Sequence, residues 1–564
     1  MPKNVMKLLK PSPHRARNDF DLSHRHVYTA NFGELLPSTC IETVPGDHIV
    51  MHASNLLRAI PLVTSPFLRA KQHIDVWFVP YRDLWHNFEQ FMVQKEQPVS
   101  SALKNSSFCP HVDLAVLWTV GCSSQFNDVV GRTQQIGAEK ILNLLGYGTN
   151  FSQSNSPKVN LFRLAAYNYI WYNEYRQKYY DDGSRLLPNG ANVAALFNFD
   201  DLDCGTEASS NLSNRTSSAY YFRAMCQMRY RTWKKDLFTG LMPSTQFGAV
   251  SSVSASFPSN FRILNLGSGV QNGDDIKVNT ASGQLAAFRS GSTVSGSGNF
   301  SLEGTINSVP SNIDVLSLRR SEAIQIWREN ALRAGNRVSD NMRAHYGVES
   351  DFRDHRPTYL GSVSAPLNIG DVMTTANSTT GVNNSVGDIA GKGLSSLDEK
   401  VFTFDSKDFG VIMAIHSLLP EAEYNALGID RCNQLLESED FFIPEYENLG
   451  LEAVSSSTFI AVPSNISLVI GYAPRYYGYK TKLDKCFGSF MTGGVNAPWC
   501  TPKYDVSTAL LTPNVMPLEC LYVNPVLFDV NFSVAVSVQD QFLCDVYYDV
   551  DAVRPMSVVG LPFS

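Results

Sequence analysis

Between residues 18 and 91 the chain is cut repeatedly by residues that a long helix cannot accommodate. Pro37, the turn Pro45-Gly46-Asp47, Pro61, Pro66 and Pro80 divide it into pieces of strand length, because proline fixes φ and removes a backbone donor. Between the breaks apolar residues alternate, most clearly at Ile74, Val76 and Phe78, the period of a strand with one buried face. The last piece changes period: Leu84, Phe88 and Phe91 are spaced for one face of a short helix. Short strands followed by one tucked helix suggest the opening of a β-sandwich or barrel.

Composition fits a large sheet protein. The 564 residues are 44% hydrophobic and 11% aromatic, with 24 Tyr and 32 Phe, a balance that favours sheets over helical bundles. Charged residues make up only 18%, so much of the surface is neutral and polar or is buried against neighbours. An assembling protein and a Ser/Asn-rich monomer both fit that figure. The formal net charge of −7 argues against a uniformly basic nucleic-acid coat. Its sign is uneven: residues 1–17 carry Lys3, Lys7, Lys10, Arg15 and Arg17 and no acid. No apolar run is long enough to cross a bilayer, and no apolar core precedes Pro11 and Pro13 to form a secretory signal. Ten cysteines are scattered singly without a CxxC pair. This is the pattern of small buried hydrophobes in a reducing compartment, neither a zinc site nor a disulfide framework.

Along the chain, the basic arm 1–17 reads either as a frayed terminus or as a strap along phosphates, where each cation releases a counterion without reading sequence. Residues 93–155 are polar loop with a short helix at 134–145, marked by Ile136, Ile141 and Leu144. At 160–180, Leu161, Leu164, Tyr167 and Trp171 place an aromatic stripe on a helix, a core face rather than a cofactor box. Arg215, Arg223, Arg229, Arg231, Lys234 and Lys235 then sit among Tyr, Phe and Trp; such interleaving stacks bases and contacts phosphates or snorkels over a core. Residues 251–310 contain 13 Ser and 8 Gly but six charges, too few for an ordinary disordered linker, and Ile263-Leu264 and Leu285-Ala286-Ala287-Phe288 hint at ordered β-loops. A helix with Ile324, Trp327, Ala331 and Ala334 on one face is expected over 314–346. Strands return at 402–404, at 410–416 (continuous enough to be buried on both faces) and at 459–468. Val530, Phe532, Val534, Val536 and Val538 alternate, and after Gln539-Asp540 so do Phe542, Cys544, Val546 and Tyr548; together they read as an antiparallel hairpin.

Candidate chemistry is mostly set aside. Residues 387–393 imitate a phosphate loop, but Val386 stands where its first Gly belongs and Gly393 replaces the metal-binding hydroxyl. Gly273-Asp274-Asp275 reads as an ordinary turn. Asp200, Asp201 and Asp203 lack the glycine and terminal Glu of a calcium loop, leaving a solvated turn or a cation at a subunit contact. His24 and His26 share a strand face, a geometry compatible with metal, without a third ligand in view. No catalytic residue, cofactor site or metal site is assigned.

Several stretches carry a family resemblance. Phe20-Asp21-Leu22-Ser23 with His26, Phe32-Gly33-Glu34-Leu35-Leu36-Pro37, Glu42 with Pro45-Gly46-Asp47, and Phe78-Val79-Pro80-Tyr81-Arg82 with Trp85 closely resemble the major capsid protein of the microviruses, gokushovirus-like branch. Lys235-Asp236-Leu237-Phe238-Thr239-Gly240, Arg356-Pro357-Thr358-Tyr359-Leu360-Gly361 (Thr358 replacing the commoner Glu), residues 440–446 and 471–476 continue it. The resemblance implies a mainly β, eight-stranded antiparallel jelly roll, the viral capsid β-sandwich, with long loop insertions containing a few helices. It divides the chain into a basic arm (1–17), one capsid domain (18–564) and a Ser/Gly-rich surface insertion (250–310) that forms a threefold protrusion for host attachment. It implies a non-enzymatic homo-oligomer of sixty copies in a T=1 shell around circular single-stranded DNA, assembled in the bacterial cytoplasm and located in the virion. Implied partners are the genome, a small basic DNA-binding virion protein that offsets phosphates the acidic chain leaves unneutralised, a pilot protein, a scaffolding protein and a host receptor. Lys3, Lys7, Lys10, Arg15 and Arg17 are the candidate nucleic-acid contacts. The rival reading, a secreted carbohydrate-binding or hydrolytic β-sandwich, calls for a signal peptide and paired acids, and neither is visible.

Overall fold

A computed structural model describes residues 17–85, 87–93, 109–122, 134–149, 156–177, 179–180, 218–246, 275–278, 285–289, 292–293, 315–333, 343–344, 347, 356–373, 389–459, 468–501 and 518–558. The chain divides into two compact units, Met1–Thr245 with Ser350–Ser564, and Gln246–Glu349.

The larger unit is built on two antiparallel sheets. The proline-punctuated opening supplies β1 (Asn18–Asp21), β2 (His24–Ala30), β3 (Leu36–Thr43), β4 (His48–Ala59) and β5 (Ala70–Pro80). After the long intervening segment come β6 (Thr358–Pro366), β7 (Asn368–Met373), β8 (Ile389–Asp405) and β9 (Gly410–Pro420), and β10 (Phe542–Arg554) closes the series. One sheet runs β1-β10-β4-β8-β7, with β2 also paired to β10; the other runs β6-β5-β9-β3. The mainly β, antiparallel class expected from the sequence is the class observed.

Alternation sets which side of each strand faces the core. In β10, Phe542, Cys544, Val546, Tyr548, Val550 and Ala552 are buried. Their partners across the ladder include Leu57, Asn55, Ala53, Met51 and Ile49 of β4, so both strands turn one face inward. Full burial of each large aliphatic or aromatic side chain contributes roughly 1.5–3 kcal/mol. In β8 a register shift between Lys400 and Phe402 moves Phe402 onto the buried face, where Phe404 meets Phe78 of the opposite sheet at 4.9 Å. Gly361 lies at the equivalent irregularity in β6; a Cβ there would come within 2.4 Å of the Val401 carbonyl oxygen.

Polar groups also join the sheets. Asn55 donates to Gln72, Gln72 to Ser395 and Ser395 to the Pro366 carbonyl, at 2.7–2.9 Å. Tyr28 Oη lies 2.9 Å from His416 Nδ1, and Ser38 bonds Tyr548. Each of these bonds runs from one layer to the other, which fixes the stacking register more sharply than apolar contact does.

The second sheet is covered on its outer side. Helices α1 (Leu114–Gly121), α2 (Gln134–Leu144), α3 (Phe162–Ile170) and α4 (Ser218–Met225) come from the stretch after β5, and α3 runs on as a π-helical turn, Trp171–Tyr175. Leu161, Leu164, Tyr167 and Trp171 are buried as expected. Tyr167 donates to the Leu35 carbonyl, and Trp77 of β5 donates to Tyr175. This cover explains why β9 is buried on nearly every residue. In α2 the buried face is Ala138, Ile141 and Leu142, with Ile136 53% exposed; the expected stripe was rotated by one position at its start.

The expected C-terminal hairpin fails. Residues 530–538 are not the first arm of a hairpin. Pro525–Val530 is a 3-10 helix capped by Asn524, and Asp529 accepts from Val536 N and Gln541 Nε2, curling the segment back. Phe532 and Val536 are buried while Val530 and Val538 are exposed, and Phe532 bridges to Leu62 rather than to β10. Of the strand expected at 459–468, residues 460–467 lie outside the described residues; a strand Val469–Pro474 follows, paired with Leu451–Ser455, and Phe459 follows a 3-10 turn and fills a second small core with Phe238, Tyr424 and Tyr477.

The smaller unit contains short antiparallel strands, Asp275–Val278 with Leu285–Arg289 and Ser292–Thr293, and helix α5 (Val315–Arg333). The expected β-loop at 285–288 is thus a strand. Residues 263–264, Ala334 and Tyr346 lie outside the described residues.

The sheet interface predicts an acid response. Burial, then neighbouring His73, drives the His416 imidazole down to about 3, and burial followed by Arg231 takes His73 down to about 4. Both are held neutral when folded, so their contribution is complete above the unfolded value near 6.5 and is lost as pH falls toward 3–4. Unfolding midpoints in denaturant should therefore fall below pH 6.5, each histidine adding a slope of up to about 1.4 kcal/mol per pH unit. His416→Gln should be less stable at pH 7 and show a shallower acid slope; parallel pH curves for the two proteins would refute the assignment.

Candidate nucleic-acid interface

The basic arm enters the fold at β1, whose first residue Asn18 pairs with Arg554 at the far end of β10. Of the five candidate contacts, Arg17 is described and exposed, while Lys3, Lys7, Lys10 and Arg15 lie outside the described residues. Cations around the exit are matched locally. Arg554 donates to the Glu42 carbonyl and lies 3.4 Å from Asp47, and Arg163 pairs with the Glu42 carboxylate.

The outward face of the first sheet is not a basic stripe. Asp21 stands opposite Asp551 across the β1–β10 ladder. Hydrogen bonds from Ser23 hold the Asp21 carboxyl below its usual range. Arg25 is tied to Asp545, and Ser54 donates to Asp398. Lys392, Lys400 and Arg58 are interleaved with these acids, so a phosphate chain on this face would meet both signs.

The aromatic–basic segment resolves into two kinds of cation. Arg229 is 1% exposed. It donates to Asn168 Oδ1 at 3.1 and 2.7 Å and to the Ala224 carbonyl at 2.7 Å. Its guanidinium also lies 4.1 Å from the Trp171 ring centre, a planar stack that lysine could not form. Arg231 reaches Asp75 at 3.2 Å and Ser417 at 2.6 Å, and Tyr175 donates to the same Asp75 carboxylate. Arg229 thus ties α3 to α4 within the helical cover, and Arg231 fastens that cover to the second sheet. Lys234, with its side chain 71% exposed, and Lys235, near Tyr179, remain at the surface. Arg215 lies outside the described residues.

The other candidates separate similarly. His24 contacts the Leu22 carbonyl through Nδ1 and Thr39 Oγ1 through Nε2, and His26 Nδ1 contacts the Ser38 carbonyl. Those bonds engage three of the four ring nitrogens and tie β2 to β3. Residues 389–393 belong to β8, so the phosphate-loop lookalike ends in a strand. Asp200, Asp201, Asp203, Gly273 and Asp274 lie outside the described residues, whereas Asp275 opens a strand. All nine cysteines among the described residues are free thiols.

One charged cluster had no sequence signal. Lys140 Nζ of α2 lies 2.7 Å from Glu34 and 2.9 Å from Asp540, and Asn31 donates to both carboxylates. Burial opposes the charge on Asp540, but Lys140, Thr29 and Asn31 overcome it and hold the carboxyl low. The members are over a hundred residues apart or more, a distance that no local spacing reveals.

Two facing antiparallel sheets, clamped by buried charge and covered by helices, define a structural β-sandwich scaffold. Residues 10–563 match the family described as Capsid protein (F protein), and the chain belongs to that family. It is 22% identical to "Capsid protein VP1" of Chlamydia phage 1 over 97% of this chain and 95% of that protein. It is 23% identical to "Capsid protein VP1" of Bdellovibrio phage phiMH2K over 98% and 96%, and 22% identical to that of Spiroplasma virus 4 over 64% and 62%. All three sources are gokushovirus-like microviruses, the branch that the sequence resembles. A structural role follows from this membership.

The split between buried and surface cations is measurable. Arg229→Ala should cost about 3 kcal/mol, since it leaves the Asn168 and Ala224 oxygens buried without their donor and opens a cavity beside Trp171, whereas Lys234→Ala and Lys235→Ala should stay within about 0.5 kcal/mol. Chemical denaturation of the three variants checks this; an Arg229→Ala protein as stable as the parent would return Arg229 to the pool of genome contacts.

Proposed function

We propose that this chain is the major capsid protein of a gokushovirus-like phage, closing with fifty-nine copies of itself into a T=1 icosahedral shell around a circular single-stranded DNA genome. Strand order is the observation that carries the reading. β1 and β2 count as one strand broken at Leu22-Ser23, and β7 as a side arm of β8. Numbered along the chain, the sheets then run 1-8-3-6 and 2-7-4-5. Strand 1 pairs with 8, 2 with 7, 3 with 6 and 4 with 5, the order obtained by wrapping one long antiparallel hairpin around a barrel. This supports an eight-stranded jelly roll, in which turns at the ends of the sandwich are free to grow into assembly loops.

The long segment between strands 4 and 5 holds the compact unit Gln246–Glu349. We assign its Ser/Gly-rich part, 250–310, to a protrusion at the threefold axes that meets a host receptor. The arm 1–17 lies along the genome, its Lys3, Lys7, Lys10, Arg15 and Arg17 contributing counterion release. A net charge of −7 leaves most phosphates to a small basic virion protein; a pilot protein and a scaffolding protein complete the particle and its assembly in the bacterial cytoplasm.

Co-expression with the other structural genes should yield closed isometric particles of one small size by negative-stain microscopy; monomers or small oligomers alone would remove the shell reading. In that system, removing residues 1–17 should lower packaged DNA more than particle yield, and packaging at parental level would dismiss the arm. Shortening 251–305 should leave particles intact and abolish attachment to host cells. Lost assembly would instead make the insertion a contact between subunits.

A further inference from the structure

Glu423, Cys486 and Cys500 converge although no motif joins them. One carboxylate oxygen and the two sulfurs all lie within 4.8 Å of one another, and Cys486 Sγ is 3.3 Å from Glu423 Oε2. Each arrives on a different segment. Glu423 lies three residues past the end of β9 and directly before Tyr424, Cys486 sits in the short parallel pairing of Tyr424–Asn425 with Lys485–Cys486, and Cys500 follows the turn Ala497–Trp499. Cys500 is buried and Glu423 half-buried, so one ligand stays reachable from solvent.

We propose that this trio binds a zinc ion with two thiolates and one carboxylate, leaving the fourth position to water. The donor set is soft enough to select zinc over calcium or magnesium. Tetrahedral zinc with bonds of about 2.3 Å to sulfur places two ligand atoms about 3.8 Å apart, so closing the site needs at most about 1 Å of movement in loop side chains. Binding releases the two thiol protons to solvent. Three anionic ligands around a divalent ion leave one net negative charge, and Arg69, which pairs with Glu421 and Asp484, senses Glu423 as well. The ion would staple loops that have little regular structure of their own. Through Cys500 it reaches the sandwich: Asn531 donates to the carbonyls of both Cys500 and Pro498, and Thr64 donates to that of Pro498. The proposal stands apart from the shell reading, because it concerns a single chain.

The test uses the full-length protein, stripped of metal under a non-chelating reductant and titrated separately with zinc and cobalt. The expected result is one equivalent bound by native mass spectrometry, a thiolate-to-cobalt charge-transfer band, and a rise in the melting midpoint with zinc. Cys486→Ser/Cys500→Ser should lose all three, while Cys432→Ser, at an exposed cysteine elsewhere, keeps them. Should the double variant fail to fold, alkylation of the parent replaces it: zinc should protect Cys486 from iodoacetamide and a chelator restore its labelling. Absence of the band at one equivalent, equal uptake by a folded double variant, unchanged Cys486 labelling, or a Cys486–Cys500 disulfide that persists under reductant would each overturn the proposal.

Discussion

Everything in the larger unit depends on β10 lying between the N-terminal strands and β4. Asn18 and Met556, 538 residues apart in sequence, are joined by a hydrogen bond where this ladder ends, and β10 makes one edge with β1 and β2 and the other with β4. Without β10 the first two strands would have no sheet to join, and the buried faces of Ile49, Met51 and Ala53 would lose their neighbours. Closing so long a loop costs less than intuition suggests, since loop entropy grows only logarithmically with length. That slow growth is what lets several hundred residues of helix, turn and insertion hang between paired strands.

The entry to this strand is also where charge is buried. Lys140 brings α2 onto Glu34, just before β3, and Asp540, just before β10. A lysine between two carboxylates is tolerated here because Asn31 and Thr29 satisfy the remaining oxygens. Replacing the trio by apolar residues of similar volume need not weaken the fold; removing one member leaves a charge buried and unmatched. Arg229 and Arg231 follow the same logic one layer away. Arg229 locks α3 against α4, and Arg231, bonded to Asp75 and Ser417, aims the helical cover at a single position on the second sheet, where apolar contact alone would accept several.

The strands of the first eighty residues were readable because two signals agree there: prolines mark the breaks, and alternation marks the faces. Alternation alone misled at Val530–Val538. Its period matches a strand, but Asp529 recruits the Val536 amide and Asn524 starts a 3-10 helix, and local side-chain bonds to the backbone compete successfully with a ladder. The basic–aromatic segment showed the complementary limit. Composition brings Arg229 and Lys234 together, yet only packing decides that one stacks on Trp171 and the other meets solvent. Glu34, Lys140 and Asp540, like Glu423, Cys486 and Cys500, were invisible because their proximity is created by the topology and leaves no trace in spacing. Single cysteines without a CxxC pair read as buried hydrophobes, but the missing pair speaks only against ligands supplied by one local loop.

The distribution of charge links this scaffold to its proposed task. A shell around single-stranded DNA has to attract phosphates without binding them so tightly that the genome cannot leave. The outward face of the first sheet meets half of that requirement by interleaving Arg58, Lys392 and Lys400 with Asp398, Asp549 and Asp551, which keeps its field weak. Arginines in the helical cover are spent on internal bonds. On the shell reading, attraction is therefore left to the basic arm and to separate basic partners, elements that can be added or withdrawn without disturbing a ladder. On that reading, a sandwich whose outer charges are interleaved can serve as a container while its contents are held by other elements, and the acid-free first seventeen residues of an otherwise acidic protein are the sequence form of that division.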